Sequence, residues 1–136
     1  MDLPDTPMDS AAPVSSRITW QTEVHIAWIC VLPVEYTAAL NIHDKSYNKN
    51  EVRIVNGVGD ENIYHAGKIG DHDVVINCPT GTAGLYTAQN VATNMKSTFP
   101  AIHFALLVGI GGGAPHCKND VRLGDVVVSN KVIPYR

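Results

Sequence analysis

Residues 103 to 113 constrain the fold more than any other stretch. An apolar run, His103-Phe104-Ala105-Leu106-Leu107-Val108, enters Gly109-Ile110-Gly111-Gly112-Gly113, where four of five positions are glycine. A short apolar run ended by glycine reads as a strand. Glycine has no Cβ, so the loop is free to take φ > 0 and bring backbone N–H groups close to a ligand, at an entropic cost that a simple turn does not require. The competing use is a chain reversal beneath a neighbouring helix. The flanking sequence has to decide between them.

The chain has 136 residues, enough for one core and too few for two ordinary domains. Its net charge of −3 and the lack of any Lys/Arg cluster argue against binding a nucleic acid polymer through phosphate neutralisation. Cys30 and Cys78 lie in or beside apolar runs and Cys117 in a polar stretch, a pattern that fits neither a disulfide framework nor a zinc site. The adjacent His116-Cys117 has no second ligand pair at a useful spacing. The longest apolar run, Ile26 to Val34, is half a membrane span, and no basic signal region follows Met1. The expectation is a cytoplasmic protein with no membrane, metal or cofactor.

In chain order, residues 1 to 22 carry Pro4, Pro7 and Pro13 among polar residues and read as a disordered leader, with Trp20 its one candidate for docking. A domain is expected over 23 to 136. Val24, Ile26, Trp28, Cys30 and Leu32 alternate with residues that are also mostly apolar, as in a strand covered on both faces. Pro33 suits the first turn of a helix from about Val34 to His43, and places Glu35 where a negative charge meets the positive helix end. Residues 44 to 61 read as loop with room for one short extended piece. Asn62 to Ile69 and Asp73 to Cys78 flank the turn Gly70-Asp71-His72 as a β-hairpin. Leu85, Ala88, Val91, Ala92, Met95 and Phe99 share one helical face, ended by Pro100. A last strand is expected from Asp125 to Val132. The fold class is α/β, three-layered, around a mixed central sheet.

Ligands of such sheets bind outside the carboxyl ends of the strands. Glu35, the 79 to 84 loop with Thr80 and Gly81, and the glycine loop with Gly109, Ile110, Gly111 and Gly112 therefore could line one pocket. Gly109, Gly111 and Ala114 also fit a dinucleotide fingerprint, but Pro115 and the polar residues after it do not open a helix, as that site demands. No Gly-Lys-Ser/Thr is present for a P-loop.

The order of Leu32-Pro33-Val34-Glu35, a hairpin, a glycine turn with an apolar helix, Val108-Gly109-Ile110-Gly111-Gly112-Gly113, and Leu123-Gly124-Asp125-Val126-Val127-Val128-Ser129 resembles the nucleoside phosphorylase and nucleosidase superfamily. The nearest likeness is to nucleosidase-like domains at the N-termini of fungal NLR-type proteins, over residues 23 to 132. The resemblance implies that Glu35 orients the attacking water, that the 109 to 113 backbone faces ribose and base, and that Asp125 is structural. It implies a small-molecule nucleoside or nucleotide as partner, and a homo-oligomer as one expected state. Leu107 and Ile110 stand where phosphorylases hold phosphate, and the first loop has no Arg, so hydrolysis of a purine N-glycosidic bond is favoured over phosphorolysis. The superfamily's ribose-binding Met-Glu segment and base-protonating acid follow the last matched strand, so the match covers the N-terminal half of such a domain, apparently truncated. The alternative is an inactive nucleoside-binding or interaction module.

Overall fold

The computed structural model describes residues 20–78, 85–113, 120–131 and 133. Seven elements follow in order: β1 (Ile26–Ile29), α1 (Pro33–Ile42), β2 (Lys45–Ser46), β3 (Ile63–Ile69), β4 (His72–Cys78), α2 (Leu85–Thr98) and β5 (Phe104–Leu107). The sheet order is β2-β3-β4-β1-β5. β1 runs parallel to both β4 and β5, whereas β3 is antiparallel to β4 and β2, so the sheet is mixed as expected.

The hairpin forms as its sequence predicts, with Ile69 opposite His72 and Gly70 at φ 57° in the left-handed region. Its turn is tied down by the Gly70 N–H, which donates to Asp44 Oδ2 at 2.6 Å.

Alternation along β1 separates two cores. Ala27 and Ile29 face a cluster with Trp20, Val24, Ala66, Val75, Val91, Met95 and Phe99. Ile26 and Trp28 face the other side, where they pack against Cys30, Ala39, Val74 and Ile76. Side chains two apart share a face of a pleated strand, so α2 covers one side of the sheet and α1 the other, which makes three layers. Trp20 docks as expected, at the start of a helical turn over 20–23, edge-on to Tyr47 and Phe99 at 5.9 and 6.5 Å between ring centroids.

Three expectations need correction. β1 is shorter than the 24 to 32 run, because its ladder to β4 ends at Trp28 opposite Ile76. On α2 and one residue past its end, Val91, Met95 and Phe99 are buried, but Ala92 is exposed; a helix resting on a sheet buries a narrow i, i+4 stripe. The strand expected from Asp125 does not form. Val126, Val127 and Val128 are 90, 68 and 87 % exposed with no ladder partner among the described residues, and an extended segment without a neighbour has nothing to satisfy its backbone. Local bonds shape this region instead: Asp125 Oδ2 accepts from Arg122 N–H at 2.8 Å, and Gly124 takes φ 94°. Among the described residues β5 is consequently an edge strand, with Phe104 and Leu107 each 66 % exposed. No helix among them is long and apolar enough to cross a membrane.

Candidate functional site

Because β1, β4 and β5 are parallel, their carboxyl ends share one edge of the sheet. The segments 30–32 and 108–113 leave from that edge. The 79–84 loop, with Thr80 and Gly81, follows the carboxyl end of β4 but lies outside the described residues.

Glu35 connects the two described segments. Pro33 starts α1 without needing an N–H partner, which puts Glu35 in the first turn with its carboxylate turned back over the helix start. Its Oε2 accepts from the Val31 and Leu32 N–H groups, each at 3.0 Å. Its Oε1 accepts from the Ile110 N–H at 2.9 Å, across 75 residues of chain. The carboxylate read from sequence as a helix-start charge thus also reaches the glycine loop. Desolvation pushes the Glu35 carboxyl up, but the N–H groups of Leu32, Ile110 and Val31 outweigh it and hold the group below its ordinary value. A carboxyl held below its ordinary value stays ionised and accepts hydrogen bonds from water or a hydroxyl, and the same lowering makes it a weak base.

The glycines differ from one another. A Cβ on Gly109 would sit 2.6 Å from Glu35 Oε1, so this position must be glycine for the carboxylate to reach the loop. A Cβ on Gly113 would meet Val121 Cγ1 at 3.2 Å. Gly111 and Gly112 have open space where a Cβ would be, and none of the loop's described glycines takes a positive φ. The close approach read from the glycine run is therefore made at Gly109, to a side chain of the chain itself. Ile110 is 71 % exposed beside it.

Sequence reasoning missed Asn77. This residue is 1 % exposed in β4, and its side chain replaces the ladder where β1 and β4 part: Cys30 N–H donates to Asn77 Oδ1 at 2.6 Å, and Asn77 Nδ2 donates to the Cys30 carbonyl at 2.9 Å. The signal was an amide within the apolar run Val74-Val75-Ile76-Asn77-Cys78. A buried amide is retained only where its donors and acceptors are met. Below it, burial pushes the Cys30 thiol up to about 11 and raises Cys78 as well, so neither is a ready nucleophile. Tyr36 is likewise raised, chiefly by burial.

An open cleft of about 800 Å³ lies away from this edge, between β3 and the 47–56 segment. Its polar walls are largely committed to the fold: Tyr47 Oη donates to Asp73 at 2.8 Å, Tyr64 Oη to Asp60 at 2.7 Å, and Asn56 Nδ2 to the Asp60 and Asn62 carbonyls. The Glu35 edge, by contrast, presents an ionised acceptor beside an exposed backbone loop.

No model of a known protein family matches the chain, and no solved structure matches it. Over 107 residues, 79 % of the chain, it is 41 % identical to a nucleotide-binding leucine-rich repeat (NLR)-like protein of Hyaloscypha variabilis. The matched part is 10 % of that protein, so the chain spans about a tenth of its relative's length. Four fifths of this α/β chain is thus homologous to a segment of a fungal NLR-like protein.

Proposed function

We propose that the Glu35 edge is the water- and sugar-facing side of a nucleosidase-type site that acts on the N-glycosidic bond of a purine nucleoside or nucleotide. The observation that supports this reading is the Glu35 carboxylate, held by Val31, Leu32 and Ile110 at the shared carboxyl edge of β1 and β5. An acceptor fixed in its ionised form orients a water for attack on an oxocarbenium-like sugar carbon. The adjoining backbone of residues 109 to 113 faces ribose and base, with Ile110 in contact with the sugar. The reading also counts Thr80 and Gly81, which follow β4 in sequence, among the substrate-binding residues. The apolar Leu107 and Ile110 near the loop provide no cation or hydroxyl for a phosphate dianion, which favours water over phosphate as nucleophile.

A second reading, a nucleoside-binding module without turnover, is favoured by the same geometry, since each oxygen of Glu35 already accepts backbone hydrogen bonds. Incubation of the purified chain with adenosine, inosine or ATP, with free base followed by chromatography, separates the two. Base release abolished by Glu35→Gln supports hydrolysis. Saturable nucleoside binding without release supports the module. Neither binding nor release overturns both.

A further inference from the structure

We infer that Asn77 is a positioning residue for Glu35: its side-chain amide fixes the backbone turn at Cys30, Val31 and Leu32 that grips the carboxylate. Its importance for chemistry rests on the reading above, whereas the positioning itself does not.

The ladder between β1 and β4 pairs Ile26 with Val74, Ala27 with Val75 and Trp28 with Ile76. Continued in register it would bring Cys30 opposite Cys78. Asn77 prevents this by inserting its own amide between the strands, with one hydrogen bond to the Cys30 N–H and another to the Cys30 carbonyl. Both polar groups of Cys30 are thus held by a single buried side chain, and Cys30 is itself 2 % exposed. Asn77 keeps its place in the other ladder, opposite Tyr64 of β3. The wedge is therefore anchored on one strand while it shapes the end of another.

The next two residues carry the consequence. The N–H groups of Val31 and Leu32 converge on one oxygen, Glu35 Oε2, each at 3.0 Å. Two successive N–H groups meet at one anion only when the backbone turns there in a defined way. Leu32 sits at φ −107°, ψ 146°, directly before Pro33. With the Cys30 backbone clamped behind and the proline ahead, the turn has little freedom. With Glu35 Oε2 fixed, Oε1 reaches the Ile110 N–H. A path of contacts therefore runs from β4, through Asn77 and the 30–32 turn, to Glu35 and the glycine loop after β5. If Asn77 were replaced by a small apolar residue, β1 and β4 would gain a route to close their ladder by backbone pairing, and the 30–32 turn would be drawn away from Glu35.

The test is an NMR titration of the Glu35 side-chain carboxyl in the full chain, run alongside amide exchange. In N77A the Glu35 pKa is expected to rise toward its ordinary value of 4.5, and the Val31 and Leu32 amides to exchange about tenfold faster, the loss of one hydrogen bond's protection. In N77D, whose buried acid stays protonated over the Glu35 titration and so keeps an acceptor for the Cys30 N–H and an O–H donor for its carbonyl, both changes should be smaller. A cooperatively folded N77A with an unmoved Glu35 pKa overturns the proposal. If N77A does not fold, the unaltered chain decides: the Cys30 amide and the Asn77 side-chain NH2 resonances should shift with the titration of Glu35, and their failure to do so also overturns it. These readouts are independent of base release, so a chain that neither binds nor hydrolyses nucleosides removes the proposed function and leaves the positioning role to stand or fall on its own.

Discussion

Replacing Gly109 by alanine tests the site's geometry through the sign of a stability change. Gly109 takes no positive φ, so alanine meets no backbone strain there. In open space such a change stabilises by about 0.4–1 kcal/mol, because the unfolded chain loses freedom. The structure reverses this expectation. The added Cβ would lie 2.6 Å from Glu35 Oε1 and 3.1 Å from Cδ, whereas ordinary contact begins at 3.4 Å, so the carboxylate has to retreat by about 0.8 Å, the difference 3.4 − 2.6. It cannot swing freely, because Oε2 is held by two N–H groups. A retreat of that size stretches the 2.9 Å bond from Ile110 N–H beyond hydrogen-bond range. A partly exposed bond to a carboxylate contributes about 1–2 kcal/mol, so G109A should be net destabilised by about 1 kcal/mol, a fall in Tm of about 3–6 °C for a chain of this size. Thermal unfolding followed by circular dichroism measures it, with G111A as the control: nothing lies within 4 Å of a Cβ there, so that variant should be unchanged or slightly more stable. If G109A is stabilised as much as G111A, the Glu35 to loop contact is refuted.

Three other perturbations probe the rest of the fold. His43 and His65 stack at 5.3 Å with ring planes 15° apart, and burial holds both below their ordinary 6.5, with a charge on His43 further disfavoured by the neighbouring His65. Groups favoured as neutral in the fold contribute stability that is present above the unfolded pKa and lost as pH falls through the lower folded values. Tm should therefore decline as pH drops below 6.5, and the decline should be shallower in H65F; an equal slope in the variant refutes this. Asp60 accepts from Thr98 Oγ1 at 2.5 Å, from Tyr64 Oη at 2.7 Å and from Asn62 N–H at 2.9 Å, and is 8 % exposed. D60A strands those donors and should cost about 3 kcal/mol in urea unfolding with an unchanged m-value. Among the described residues β5 is an edge strand that exposes Phe104, Leu106 and Leu107, so sedimentation should show concentration-dependent association that L107K weakens. A monodisperse monomer at all concentrations counts against it.

The local elements were legible because each rests on short-range chemistry. Gly70 and Asp71 between alternating runs specify a hairpin, Pro33 starts α1, and the 91, 95, 99 spacing writes the buried face of α2. The α/β class follows from those elements and their order. Glu35 could be singled out as a carboxylate at a strand's end, and Gly109 as a place where the backbone comes close to something.

The partners were decided only by tertiary structure. Sequence cannot show that Gly109 is close to Glu35 itself, because that contact depends on β1 and β5 being parallel neighbours whose ends share an edge. Nor can it show that Asn77 ends β1, since the residue stands within a valine- and isoleucine-rich run that continues any strand by propensity. Val126, Val127 and Val128 make the same point in the opposite direction. Their β-branched side chains favour extended backbone, yet a strand is a property of a pair, and the described residues offer them no neighbour. Sequence determined where the chain bends and which faces are apolar. The packing of distant segments determined which hydrogen bonds a carboxylate, an amide and a glycine would make.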